Sequence, residues 1–148
     1  MKRNIIIQIL LFINPLLFSQ TLNYTETVKY ITSKLKTYNQ RAVDYKCEIN
    51  QYGVISEELK SFGGKGEIVR SSVNINDIGK IELVKSVVEP NQYFIYFYCK
   101  SNNCAYVYGN SSKIFDILFE ASEVDAQRLL KAFLHLQELA KNIKDPFD

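Results

Sequence analysis

The hydrophobic residues of this chain change their spacing twice, which divides the chain into two helical segments around a series of strands. Near the start, apolar residues recur at steps of three and four, the spacing of one helix face: Tyr24, Val28, Ile31, Leu35 and Tyr38. Asn23 is a residue type that caps helix N-termini, and Glu26 stands where a capping box requires it. We therefore predict a helix that begins after Asn23 and ends near Asn39.

The middle of the chain has the alternating pattern of strands with one buried face. Short runs rich in β-branched and aromatic residues are separated by Gly, Asn or Pro, which favour turns. The predicted strands cover residues 43–50, 54–59, 67–75, 80–88, the two arms of 93–109, and a last run around 115–119. Because no helices alternate with these strands, the pattern favours an antiparallel sheet.

A second amphipathic helix closes the chain. Ser122 is its predicted N-cap, Asp125 follows three residues later, and Asp145-Pro146 ends the helix. Its apolar stripe consists of Ala126, Leu129, Leu130, Phe133, Leu136 and Ala140. A sheet with one apolar face needs a cover, so we expect this helix to pack on the sheet.

These elements together predict an α+β fold: a single antiparallel sheet or half-open barrel of about seven strands, capped by the long C-terminal helix, with an extra N-terminal helix. The element order over roughly residues 43–143 resembles the pleckstrin-homology-like architecture. In phosphoinositide-binding members of that architecture a basic loop joins the first two strands, whereas here the loop is Gln51-Tyr52-Gly53. The resemblance therefore does not imply lipid headgroup binding. The alternative is a simpler antiparallel sheet with both helices on one face.

The stretch from Tyr93 to Gly109 is predicted to form the central hairpin of the sheet. In that register the facing pairs are Cys99 and Cys104, Phe97 and Tyr106, and Ile95 and Tyr108. Three cysteines in an exported chain imply one bridge, and Cys99–Cys104 is the natural pair. Cys47 is then a free thiol or an intermolecular link, and we favour a buried free thiol.

The first 19 residues have the pattern of a secretory signal peptide. Lys2 and Arg3 are followed by an apolar run that ends before Ser19. The run is interrupted and shorter than the roughly 20 residues of a membrane span, although an uncleaved anchor is the alternative. We therefore expect an exported protein, periplasmic or extracellular, with residues 20–148 forming one α+β domain and no stable membrane span after cleavage.

The net charge argues against nucleic acid as a partner. Loss of Lys2 and Arg3 lowers the basic count from 18 to 16, which equals the acidic count of 16. A neutral chain lacks the long-range field that attracts nucleic acid, so we expect no nucleic-acid partner. Hydrophobic residues make up 47% of the chain, which is enough for a packed core and argues against disorder.

The sequence contains no recognisable catalytic or cofactor motif. Its single histidine, His135, lies off the apolar stripe and is expected to be a solvated surface residue. No metal site and no cofactor are predicted, because metal-ligand spacings are missing. Glu57 and Glu58 are interpreted as ordinary solvent-facing charges.

Tyrosine is the residue type that suggests a binding surface, since 10 are present and many cluster. One face of the predicted hairpin belongs to the core, and the other is either covered by the N-terminal helix or exposed for contact. The candidate contact residues are Phe94, Tyr96, Tyr98, Tyr106 and Tyr108. We therefore favour an exported, non-catalytic domain that binds a protein, peptide or glycan partner or that assists envelope assembly. The alternatives are a thiol-dependent enzyme using Cys47, and a carrier of a small apolar ligand between the sheet and the C-terminal helix.

Overall fold

The computed structural model describes residues 22–39, 44–60 and 68–143. Within these residues the chain forms two helices and eight strands. The predicted signal peptide and the start of the first predicted strand lie outside the described residues. The elements are α1 (Tyr24–Tyr38), β1 (Lys46–Ile49), β2 (Val54–Lys60), β3 (Ile68–Asn74), a 3₁₀ turn (Ile75–Asp77), β4 (Ile78–Lys85), β5 (Gln92–Cys99), β6 (Ala105–Val107), β7 (Asn110–Ser112), β8 (Ile114–Glu120) and α2 (Glu123–Ala140).

Both helices begin where their capping residues predict. The Asn23 side chain accepts a hydrogen bond from the Glu26 backbone N–H, and the Glu26 carboxylate accepts one from the Asn23 N–H, each at 3.0 Å. This reciprocal pair is a complete capping box. At α2, the Ser122 hydroxyl accepts from the Asp125 N–H at 3.2 Å. The two predicted helix starts are therefore confirmed.

The strands form two antiparallel sheets rather than the predicted single sheet of about seven strands. One sheet has five strands in the order β1-β2-β3-β6-β7, and the other has three in the order β4-β5-β8. The 3₁₀ turn carries the chain from the first sheet to the second, and the loop after Cys99 carries it back. The α+β class with antiparallel pairing is thus confirmed, and the described strands do not close into a barrel.

The predicted central hairpin is wrong, because its two arms belong to different sheets. Phe97 on β5 lies opposite Ile81 and Phe115, whereas Tyr106 on β6 lies opposite Ser72 and Ser111. With eight residues, β5 has two long apolar neighbours in β4 and β8, while β6 has only three residues to offer. Cross-strand packing over the longer ladders decides the pairing.

The predicted disulfide between Cys99 and Cys104 is confirmed, with the two Cα atoms 5.7 Å apart. Because β5 and β6 belong to different sheets, the disulfide closes the loop that connects the two sheets. It does not fix the register of a hairpin.

The core lies between the sheets and the helices. Leu129, Phe133 and Leu136 of α2 are fully buried, as the apolar stripe predicts. The Phe133 ring meets Phe97 of β5 edge to face, and Tyr38 of α1 stacks on Phe119 of β8. Both helices therefore pack on the same side of the three-stranded sheet. Neither described helix is long and apolar enough to cross a bilayer.

Candidate functional site

The side of the three-stranded sheet opposite the helices carries a set of aromatic and apolar residues, which we call the aromatic face. Alternate residues of a strand point to opposite sides of the sheet, so the burial of Phe97 places its neighbours on this face. The register aligns three rows across β4, β5 and β8: Val84, Phe94 and Leu118; Glu82, Tyr96 and Asp116; Lys80, Tyr98 and Ile114.

The apolar part of the aromatic face is accessible to solvent. Val84, Ile114 and Leu118 are 37%, 38% and 40% exposed, respectively. The three aromatic side chains between them, those of Phe94, Tyr96 and Tyr98, are partly buried. Both helices lie on the other side of the sheet, so the open possibility that α1 covers this face is not realised.

The aromatic rings of this face pack on one another along β5. The Phe94 and Tyr96 ring centroids are 5.7 Å apart with planes 12° from parallel, and those of Tyr96 and Tyr98 are 6.2 Å apart. The Lys80 ammonium lies 5.3 Å from the Tyr98 centroid, a cation–π distance. The ring faces are therefore turned largely toward neighbouring side chains.

The aromatic face also carries charged residues. The Lys80 ammonium donates to Glu82 at 2.8 Å, and this contact lowers the pKa of the Glu82 carboxyl. Asp116 lies opposite Tyr96 in the middle row. Burial raises the pKa of Asp116, as expected for a carboxyl that is partly removed from water.

Tyr106 and Tyr108 do not belong to the aromatic face, although the sequence grouped them with Phe94, Tyr96 and Tyr98. Tyr106 lies on β6 of the five-stranded sheet and is 51% exposed, and Tyr108 lies in the turn after β6 and is 62% exposed. Tyr108 and Gly109 form the two-residue turn between β6 and β7, and both have positive φ. Of these candidates, the structure places the three residues of β5 on one face. Tyr108 lies near its edge, where burial and then the Asp116 carboxylate raise the pKa of Tyr108. Val84, Ile114, Leu118 and Asp116 were missed, because finding them requires the strand pairing.

A second group of titratable residues lies on the buried side of the five-stranded sheet. Glu57 on β2 faces Cys47 on β1 and is only 6% exposed. Burial, with the charge of Asp116, raises the pKa of Glu57 from 4.5 to about 7. The interpretation of Glu57 as a solvent-facing charge is therefore wrong, because it occupies the inward position between Ile55 and Leu59. Glu58, the outward residue, binds Arg70 at 2.8 Å.

The surroundings of the Cys47 thiol disfavour its reactive thiolate form. Burial and then the Glu57 carboxylate raise its pKa to about 12, whereas reactive thiols have a lowered pKa beside cations. Tyr45 also lies in this group, and its buried hydroxyl lies next to the Glu57 carboxyl and the Cys47 thiol. Burial, the Cys47 thiol and Glu57 raise the pKa of Tyr45. This environment does not favour the thiol-enzyme alternative.

His135 is not the freely solvated residue that its helical position predicts. Its ring Nε2 lies 2.7 Å from the Leu22 carbonyl oxygen and connects α2 to the segment before α1. Cys47 faces Glu57 on the neighbouring strand. His135 and Cys47 therefore contact different partners. Within the residues that the structure describes, no group of three His, Cys, Asp or Glu side chains is placed to hold a metal ion.

The interface between α2 and the three-stranded sheet is occupied by side chains. Phe97, Phe115 and Phe133 are fully buried there, with ring centroids 5.1 Å apart for Phe97 and Phe133 and 5.5 Å for Phe97 and Phe115. The ligand-carrier alternative would need open space at this interface, so the packing does not favour it.

Comparison of the chain with protein-family models, curated protein sequences and solved structures finds no significant match.

Proposed function

We propose that this protein is an exported, non-catalytic binding domain whose contact surface for a protein partner is the aromatic face. The observation that carries the proposal is the exposure of Val84, Ile114 and Leu118 around the β5 rings, on the side of the sheet opposite both helices. A contiguous apolar surface of this kind with polar atoms at its edge is typical of interaction sites. Tyrosine also supplies contact area at low entropic cost.

A protein fits this surface better than a glycan or nucleic acid. Sugar rings bind flat aromatic faces, but the rings here are turned largely toward one another. Nucleic acid requires an excess of positive charge, whereas the middle row of the aromatic face holds Glu82 and Asp116. Apolar side chains of a protein can pack against ring edges and the flanking aliphatic residues.

Charge complementarity specifies the partner further. Lys80 already neutralises Glu82, which leaves the Asp116 carboxylate, on the edge strand β8 between Ile114 and Leu118, as the remaining charge of the aromatic face. Burial raises the pKa of Asp116 because it disfavours the charged carboxylate, and a nearby cation would offset this effect. A partner that presents an arginine to Asp116, surrounded by apolar residues, would satisfy both the carboxylate and the tyrosine rings. Arginine is also enriched at the centre of protein interfaces.

Export belongs to the same proposal. The signal-like residues 1–19 and the Cys99–Cys104 disulfide support it, because disulfides persist in oxidising compartments. A periplasmic or extracellular protein that binds an envelope protein would account for both features. The pleckstrin-homology-like element order remains a prediction, since the strands divide into two sheets.

Photo-crosslinking in the native producing cell tests the proposal. A benzoylphenylalanine introduced at Tyr96 should crosslink one identifiable protein, and the same group at Lys131 on α2 should not. The crosslink should disappear when Leu118→Asp is added. Equal crosslinking from both positions, or none from Tyr96, would contradict the proposal. Crosslinking to a second copy of this chain would replace the hetero-partner with a homodimer and contradict the arginine-bearing partner.

A further inference from the structure

A cavity of about 410 Å³ lies between α1 and β1, apart from the residues of the aromatic face. Helix α1 contributes Lys29, Thr32, Ser33 and Lys36 to its lining. The β1 side contributes Tyr45, Lys46 and Cys47. The volume falls within the range of small-molecule sites, roughly 300–1,000 Å³.

The four helical residues of the lining follow one face of α1. Thr32, Ser33 and Lys36 follow Lys29 by three, four and seven residues, which places all four on one side of the helix. Lys29 and Lys36 are two turns apart, a rise of about 10.5 Å at 1.5 Å per residue. The two lysines therefore lie on either side of Thr32 and Ser33 along the wall of the cavity.

The described residues of the lining include three lysines and no carboxylate. Among the residues that the structure describes, Lys29 and Lys36 form no ion pair. Lys46 binds Glu48 at 2.7 Å, but both side chains are mostly exposed, and such surface pairs are weak. Three ammonium groups around a concave surface concentrate positive potential there.

Tyr45 also lines the cavity, but its hydroxyl is not available to a molecule there. The hydroxyl is buried and lies next to the Glu57 carboxyl and the Cys47 thiol. The lysines and the hydroxyl-bearing residues of α1 are therefore the groups that a molecule in the cavity would meet.

We infer that this cavity binds a small polyanion with at least two oxyanion groups, held by Lys29 and Lys36 across the helix face and by Lys46 from β1. Charge-assisted hydrogen bonds from the ammonium groups would supply the affinity. This site is independent of the aromatic face, so either assignment can fail without the other.

Calorimetric titration with inorganic pyrophosphate and with citrate tests the inference, with glucose as the uncharged control. The protein should bind at least one of the two anions saturably, and added sodium chloride should weaken binding. The double substitution Lys29→Gln and Lys36→Gln should weaken it at least about tenfold. The matched pair Lys113→Gln and Lys131→Gln, which removes the same charge elsewhere, should change it by less than about twofold.

A free anion and a lipid headgroup share this chemistry, and a second measurement separates them. Sedimentation with phosphatidylglycerol vesicles that depends on Lys29 and Lys36 would assign the site to a headgroup. Calorimetric binding without such sedimentation would assign it to a free anion. Absence of saturable binding to pyrophosphate, citrate and vesicles, or equal affinity in the two double variants, would overturn the inference.

Discussion

The rings of Phe97 and Phe133 meet edge to face with their centroids 5.1 Å apart, and this contact orients the three-stranded sheet. It joins the central strand β5 to α2, so the odd-numbered residues of β5 face the core. Because neighbouring residues of a strand point to opposite sides, Phe94, Tyr96 and Tyr98 must face away from the helices. The burial of one set of aromatic rings thus leaves the other set available for contact.

Glu57 should make the stability of the fold depend on pH. Burial raises its pKa from 4.5 in the unfolded chain to about 7 in the folded protein. Between these values the folded protein holds a proton that the unfolded chain has lost, so the free energy of unfolding falls as pH rises through this window. The full effect is about 3 kcal/mol at 1.36 kcal/mol per pKa unit.

Glu57→Gln should remove most of this dependence, leaving the smaller part that the raised pKa of Asp116 contributes, and should be more stable than the wild type above about pH 7. Urea unfolding on either side of the window measures the effect. Glu58→Gln is the control, because Glu58 is exposed and Arg70 lowers its pKa. A wild-type free energy of unfolding that does not change between about pH 5 and about pH 7 would contradict the account.

The helices and the disulfide could be predicted from the sequence because their determinants are local. Asn23 and Ser122 cap from fixed positions, and the 3.6-residue period identifies Leu129 and Phe133 as buried whatever they contact. Cys99 and Cys104 are close enough in sequence to pair whichever strands flank them.

Strand pairing could not be predicted in the same way. A two-residue period shows which residues share a face but not which strand lies opposite, so Phe97 fits either Tyr106 or Phe115. The aromatic face was therefore identified only along β5. Glu57 was missed for another reason, since its charge argued for exposure although its position between Ile55 and Leu59 indicates burial.

Cys47 should react slowly with alkylating reagents in the folded protein. Burial raises its pKa to about 12, so its thiolate fraction near neutral pH is several orders of magnitude below that of a free cysteine with a pKa of about 8.5. Mass spectrometry should show iodoacetamide labelling at least about a hundredfold slower in native protein than in urea. Rapid native labelling would revive the thiol-enzyme alternative.

Gly53 and Gly109 should respond differently to alanine. Both have positive φ, so both substitutions strain the backbone by roughly 1 kcal/mol. A Cβ at Gly53 would also lie 2.9 Å from Ile75 Cγ2, whereas at Gly109 the nearest atom is 3.7 Å away. Gly53→Ala should therefore cost about 1–3 kcal/mol more in the free energy of unfolding. Equal losses in urea unfolding would contradict the close packing at Gly53.

The disulfide should contribute through the short loop that it closes. Cys99 and Cys104 are five residues apart, for which loop-closure entropy gives roughly 2 kcal/mol. Denaturation of the Cys99→Ser, Cys104→Ser double variant should show that loss, and reduced wild-type protein should match it. A reductant should leave the variant unchanged. Oxidised wild type no more stable than the variant would contradict this contribution.

The affinity of the crosslinked partner for matched surface variants tests the central claim most directly. Val84→Asp with Leu118→Asp places two charges on the aromatic face, while Val124→Asp with Leu134→Asp places two on exposed apolar positions of α2. We predict that the first pair weakens binding at least about a hundredfold with its thermal unfolding unchanged, and that the second stays within about twofold of wild type. Equal affinity of the two double variants would show that the partner binds elsewhere.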